Sequence, residues 1–370
     1  MGAAGRLAGR GIARMFGVDW PIVQAPMAGG ITTPALVAAA CESGALGSLA
    51  APLLSPQRIR EEAAAIRALT RRPFAINLFV LDEPEAFPRD GEAAAIARLA
   101  AWRARYGLPP QAPPARLCES FGAQLDAVVG LAPAVASFHF GIPPLDRLRA
   151  LQRGGTRVVG TATNVDEARA WAAAGADAIV AQGAEAGGHR GTFIGEPASG
   201  EIGTMALVPR LVDAVGLPVI AAGGIMDGRG IAAALALGAA GVQMGTAFLA
   251  CAESGAHPAW KAALWQEADS RGTRLTRVFS GRRARGLVNA FMQAHRGEEE
   301  AVPGYPLQNA LTSELRAAAA KAGDIEAMSL WAGQGAALAR PLGAAALVAR
   351  LVEETGLAIA AIAGDGGERP

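Results

Sequence analysis

Eight short apolar runs punctuate the chain: residues 21–27 (PIVQAPM), 46–50 (LGSLA), 74–80 (FAINLFV), 134–140 (AVASFHF), 157–162 (RVVGTA), 178–183 (AIVAQG), 218–224 (PVIAAGG) and 241–246 (GVQMGT). Such runs, too short for a helix and bounded by turn residues, read as strands buried on both faces of a parallel sheet. Between them lie alanine-rich stretches with helical spacing. Residues 34–44 end at Gly44, and residues 55–70 open with Ser55 as cap and Pro56 in the first helical position. Residues 164–176 open with Asn164 and place Asp166 and Glu167 where negative charge suits the positive helix end. This strand–helix alternation predicts an α/β fold of the TIM type, a closed (β/α)8 barrel. No G-x-G-x-x-G follows any strand, which counts against an open dinucleotide-binding sheet.

The alternation lapses twice. Residues 81–130, with PEAFPRD and PPQAPP, far exceed the usual connection of about 4–6 residues, and read as an excursion over the barrel surface that reaches the mouth of the site. Residues 248–333 hold helical patterns near 257–265 and 286–293, a polar strand-like piece (RLTRVFS) and the turn-rich VPGYPLQN. The expected organisation is a barrel over 17–250 and 334–361, with residues 341–356 as its last outer helix. A mostly helical lobe over 251–333 covers the open end, and residues 1–16 and 362–370 form flexible termini.

Composition narrows the partners. With 370 residues and 51% hydrophobic content the chain has ample material for a large core. Lys+Arg 34 against Asp+Glu 33 leaves a net charge of +1, so neither nucleic acid nor a charged membrane surface is indicated, and a small substrate fits better. Cys41, Cys118 and Cys251 are odd in number, without C-x-x-C spacing. They indicate a reducing, cytoplasmic setting and no metal framework.

Barrel enzymes carry their chemistry at the carboxyl ends of the strands, and there the unusual residues collect: Pro26 and Met27, Asn77, His139, Gln182, Gly223 and Gly224, and Gln243, Met244, Gly245 and Thr246. After Gln182 the stretch AQGAEAGGHRG supplies Gly187 and Gly188, which let the backbone approach a ligand closely, and His189, a group able to exchange protons near pH 7. The glycines after the seventh and eighth strands stand where barrels bind a phosphate. One phosphate and one flat ring with amide-like edges, for Asn77 and Gln182 to bond, describe flavin mononucleotide, FMN. Met27 and Met244 read equally as core filler or flavin contacts, and Tyr305 as a structural turn or a substrate contact.

The motifs QAPMAGG, INLF, SFHFG, AQGAEAGGHRG, AAGGI, QMGTAF, YPLQN and WAGQG resemble, in order and over nearly the whole chain, those of the nitronate monooxygenases, formerly 2-nitropropane dioxygenases, and the first class of that family most closely. The resemblance implies noncovalent FMN and oxidative denitrification of alkyl nitronates such as propionate 3-nitronate with O2. Asn77, Gln182, Gly187, Gly224 and Gln243 to Thr246 would hold FMN. His189 would act as base or anion stabiliser, with His139 beside the substrate. The expected assembly is a monomer or homodimer. Asn309 and Ser313 depart from the family, which often has an aromatic hydroxyl and a lysine on those turns. Three alternatives stand beside this: an FMN-dependent NAD(P)H reductase of a quinone or enoyl thioester, a non-catalytic flavin-binding protein, and a metal hydrolase with His139, His189 and Glu185 as ligands.

Overall fold

The computed structural model describes residue 9 and residues 11–364; most of the expected N-terminal tail and residues 365–370 lie outside the described residues. Eleven strands follow in chain order: β1 (Ile22–Gln24), β2 (Gly47–Ala50), β3 (Phe74–Phe79), β4 (Val135–His139), β5 (Arg157–Ala162), β6 (Ala178–Gln182), β7 (Gly188–His189), β8 (Val219–Ala222), β9 (Gly241–Met244), β10 (Thr273–Thr276) and β11 (Ala284–Leu287). Eight of them pair in parallel in the order β1-β9-β8-β6-β5-β4-β3-β2. Leu46 N–H donates to the Ile22 carbonyl and Gln24 N–H to the Leu46 carbonyl, both at 2.9 Å, joining the two ends of the sheet. The TIM-type barrel expected from the alternation is the fold observed.

Small and β-branched side chains fill the barrel: Val23, Ala75, Val135, Val159, Val180 and Ile220 form one buried cluster. Ile12, Ala13 and Phe16 complete it from the helix Ile12–Phe16. Residues 12–16 are therefore a plug in the barrel floor, which corrects the expectation of flexibility for that part of 1–16. Gly11 makes the entry possible, since a Cβ there would lie 2.1 Å from the Ala240 carbonyl oxygen. Five residues are too few to show a helical period, so the plug is silent in the sequence.

Outside the barrel the cap signals hold. Ser55 accepts from Arg58 N–H and Asn164 from Glu167 N–H. The last helix, Ala344–Ile362, packs against Gly228–Ala236 and Pro34–Glu42, the place of the barrel's closing helix. No helix among the described residues is long and apolar enough to cross a membrane.

Between Cys251 and Gly333 two local expectations change. The helix expected near 286–293 is strand β11 followed by a short helix, Ala290–Ala294, capped by Asn289. Strand β11 pairs antiparallel with both β10 and β7, so His189 sits on the edge of a three-stranded sheet and not in a free loop. VPGYPLQN leads directly into a long helix, Leu307–Lys321. The 81–130 excursion braces this helix. Arg103, 2% exposed, donates to the Pro109 carbonyl and pairs with Glu314. Gln111 Nε2 donates to the Leu311 carbonyl at 2.9 Å, and Tyr106 OH to Asp324 at 2.8 Å.

Candidate active site

The carboxyl ends of the barrel strands open into a cavity of about 740 Å³, a size that holds a cofactor or small ligand. The residues expected there, Pro26, Met27, Asn77, His139, Gln182, Gly187, Gly188, His189, Gly223, Gly224, Gln243, Met244, Gly245, Thr246 and Tyr305, all line it. Their surroundings differ and divide the wall into three parts.

At one end the chain leaves β8 through Gly223 and Gly224, with φ of 121° and 71°, a region that favours glycine. Beside them, after β9, are Gly245 and Thr246. The N–H groups of Gly224, Gly245 and Thr246 find no acceptor among the described residues. Three adjacent donors without an internal partner are the donor set of an anion site.

The amides form the floor. Asn77 Nδ2 donates to the carbonyl and hydroxyl of Ser137 at 3.1 and 3.0 Å, and its oxygen has no donor among the described residues. Gln182 is fully engaged: its Nε2 donates to the His189 carbonyl at 2.9 Å and its Oε1 accepts from Gly191 N–H at 2.8 Å. It thus shapes the loop from inside the wall, whereas the Gln243 side chain has no hydrogen-bond partner among the described residues.

The third part presents His189. Its carbonyl also accepts from His139 Nε2 at 3.1 Å, so two side chains from two strands fix one peptide. That bond requires a proton on His139 Nε2, because a carbonyl only accepts. Ser280 Oγ donates to the Arg282 carbonyl at 3.1 Å and so receives a proton from His189 Nε2 at 2.9 Å. The lone pair of His189 is therefore on Nδ1. Four rings surround this imidazole, Phe79, Phe140, Tyr305 and Trp331, with centroids 5.9, 5.8, 5.7 and 5.6 Å away. Phe140 has φ of 75°, an unusual conformation for a bulky residue, and the Arg282 guanidinium lies 3.8 Å over its ring. Arg282 also holds the carbonyls of Arg190 and Thr192. Glu167, fully buried, accepts from the N–H groups of Thr163, Phe193 and Ile194 and from the Thr163 hydroxyl, anchoring the far end of the loop.

Electrostatics set the proton states. Burial and the Arg282 charge hold His189 down to about 3; burial also holds His139 down to about 3, against a stabilising bond from the His189 carbonyl. Both imidazoles are neutral at physiological pH, which corrects the expectation that His189 exchanges protons near pH 7. Burial pushes the Tyr305 hydroxyl upward, so it remains a proton donor. Arg190, Arg282, Arg285 and Arg316 have no ion-pair partner among the described residues; their N–H groups go to carbonyls, hydroxyls and an amide oxygen. Of these only Arg316 lines the cavity, and one cation among neutral donors favours an anion.

Glu185 is turned to Thr204, accepting from its N–H at 2.9 Å and its hydroxyl at 2.8 Å, and no cluster of three metal-ligating side chains occurs among the described residues. The metal reading has no geometry here. Sequence reasoning missed Phe79, Phe140, Arg282, Arg316 and Trp331. Three of these stood inside the quoted motifs INLF, SFHFG and WAGQG, and Arg282 in the basic run GRRARG.

A family model described as Nitronate monooxygenase matches residues 13–354. A protein from Pseudomonas aeruginosa named nitronate monooxygenase is 47% identical over 348 residues, 92% of this chain and 97% of that one. A crystal structure of nitroalkane oxidase from Streptomyces ansochromogenes superposes with a TM-score of 0.88 at 44% identity, covering 95% of this chain and 99% of that chain. The structure of FabK from Thermotoga maritima superposes with a TM-score of 0.73 at 28% identity, covering 96% and 98%.

Proposed function

The chain belongs to the nitronate monooxygenase family, and from that premise we propose that it is an FMN-dependent enzyme that oxidatively denitrifies alkyl nitronates, propionate 3-nitronate among them, with O2. The observation that carries this reading is the charge state of the cavity. Neutral imidazoles and one arginine without an ion-pair partner among the described residues, Arg316, line the cavity, and a nitronate arrives already deprotonated. A neutral nitroalkane would need a base, and an imidazole held at about 3 is a weak one at pH 7.

The residues fit FMN. The N–H groups of Gly224, Gly245 and Thr246 would hold its phosphate, and Gln243 and the side-chain oxygen of Asn77 would meet the edges of its ring. Bound there, FMN would accept electrons from the nitronate, chemistry that no side chain of the cavity provides. The chain's own residues bind and orient. Tyr305 OH has a proton to donate to a nitronate oxygen, and the four rings around His189 exclude water and strengthen every charge interaction nearby. His139 and Gln182 fix the peptide on which His189 is carried, so both are positioning residues in this reading. Three reduced cysteines support a cytoplasmic setting.

The test is the visible spectrum of the purified protein, followed by oxygen uptake with propionate 3-nitronate. A flavin spectrum with uptake supports the proposal. Bound flavin bleached anaerobically by NADH and unaffected by nitronates would instead favour a reductase, and flavin without any turnover a binding protein.

A further inference from the structure

Among the described residues lining the cavity, one carries a permanent charge: Arg316. Arg190, Arg282 and Arg285 lie behind the wall and are occupied there with carbonyls and a threonine hydroxyl. Arg316 stands on the helix Leu307–Lys321 and its side chain runs back toward the helix N-terminus. Nε donates to Thr312 Oγ1 at 3.1 Å, and Nη2 to the carbonyl and side-chain oxygens of Asn309 at 2.9 and 2.8 Å. These partners are neutral and sit on its own helix, so they aim the guanidinium without cancelling its charge.

Nη1 remains. Its contact with Ser329 Oγ, at 3.5 Å, is at the outer limit of a hydrogen bond, which leaves Nη1 able to donate. Burial pushes Arg316 down to about 10, so it is charged at neutral pH. A cation taken out of water without a counter-charge is costly, and a ligand that brings the counter-charge removes the cost. Ser313, Ala317 and Ala320, all small and on the same helix, line the cavity beside it and leave room for a short chain. With Nε and Nη2 already committed, Nη1 can give a carboxylate a charge-assisted hydrogen bond.

We propose that Arg316 is the specificity-determining residue that takes the carboxylate tail of the substrate, so that nitronates bearing a carboxylate a few bonds from the reacting carbon are preferred over nitronates with neutral tails. This rests on the nitronate reading given above. The phosphate donors Gly224, Gly245 and Thr246 belong to the ends of β8 and β9 and use none of Arg316.

The test compares propionate 3-nitronate with butyl-1-nitronate, using flavin-loaded wild type, Arg316→Met and Arg316→Lys. In Arg316→Met the preference in kcat/KM for the carboxylated substrate should fall by about 10- to 100-fold, the loss of a charge-assisted pair, and it should fall through KM. Arg316→Lys should keep most of the preference. Calorimetric titration with succinate, which cannot react, should show binding to wild type weakened by a similar factor in Arg316→Met, with flavin content unchanged. Equal losses on both nitronates, unchanged succinate affinity, or release of flavin from Arg316→Met would each overturn the assignment. If Arg316→Met does not fold, Arg316→Gln, which keeps polar atoms but no charge, replaces it: a loss confined to the carboxylated substrate supports Arg316, and an equal loss on both, or none, overturns it. If wild type consumes no oxygen with either nitronate, the nitronate reading fails, and the succinate titration still decides whether Arg316 holds a carboxylate.

Discussion

Lowering the pH should destabilise this protein through two named imidazoles. His139 and His189 are each held at about 3 in the folded chain, whereas an unfolded histidine titrates near 6.5. Above 6.5 neither state is protonated and the pair contributes no pH dependence. As the pH falls from 6.5 toward 3, the unfolded chain binds protons that the folded one refuses, so stability is lost across that window. At pH 5 the difference is about 1.5 pKa units, or about 2 kcal/mol for each histidine and about 4 kcal/mol for both. Urea unfolding at pH 7.5 and pH 5.0 measures it, with saturating flavin in both. Carboxylates contribute equally to wild type and variant, so the comparison isolates the imidazoles. His189→Asn should lose about 2 kcal/mol less than wild type between the two pH values, and the double variant His139→Asn/His189→Asn about 4 kcal/mol less. Identical losses would mean that both histidines titrate normally; His189 would then return as a base near neutral pH, and the case for a pre-ionised substrate would be withdrawn.

Glu167→Gln keeps the shape but replaces a carboxylate oxygen by an amide donor facing N–H groups; it should cost about 3 kcal/mol in urea unfolding and lower turnover, because the loop carrying His189 is no longer anchored. At Gly187 a Cβ would lie 2.6 Å from the Ala332 carbonyl carbon and from Gly333 N, both backbone, so Gly187→Ala should lose about 1–3 kcal/mol, and wild-type stability would show that the two segments part easily. Gly224, with φ of 71° and Glu185 Cβ 3.3 Å from a would-be Cβ, should release flavin when replaced by leucine; full flavin loading would place the phosphate elsewhere. Burial holds the Cys41 and Cys251 thiols up at about 11 and 12, so a thiol reagent should label half-buried Cys118 in the folded protein and the other two only after unfolding.

Much of the barrel was legible because its signals are local. A run such as AIVAQG declares a strand buried on both faces, and Ser55 or Asn164 declares where a helix begins. The plug Ile12–Phe16 was not legible, since its partners come from strands all around the barrel and its length hides any period. Strand β11 was read as helix because it is short: β10 precedes it closely, but β7, which pairs with its other edge, lies far upstream, and propensity alone cannot register that pairing.

The order of residues by itself determined the barrel, the strand ends at which polar groups gather, and the glycines that allow close approach, since each of these depends on neighbours a few positions away. Tertiary structure alone decided what those groups can do. His189 meets Ser280, 91 residues away, and the Arg282 charge; Gln182 is turned inward by its own loop; Arg316 is left facing a cavity without a counter-charge. Proton affinity and charge depend on how much water is removed and which dipoles replace it, and both are set only when distant segments close around the site.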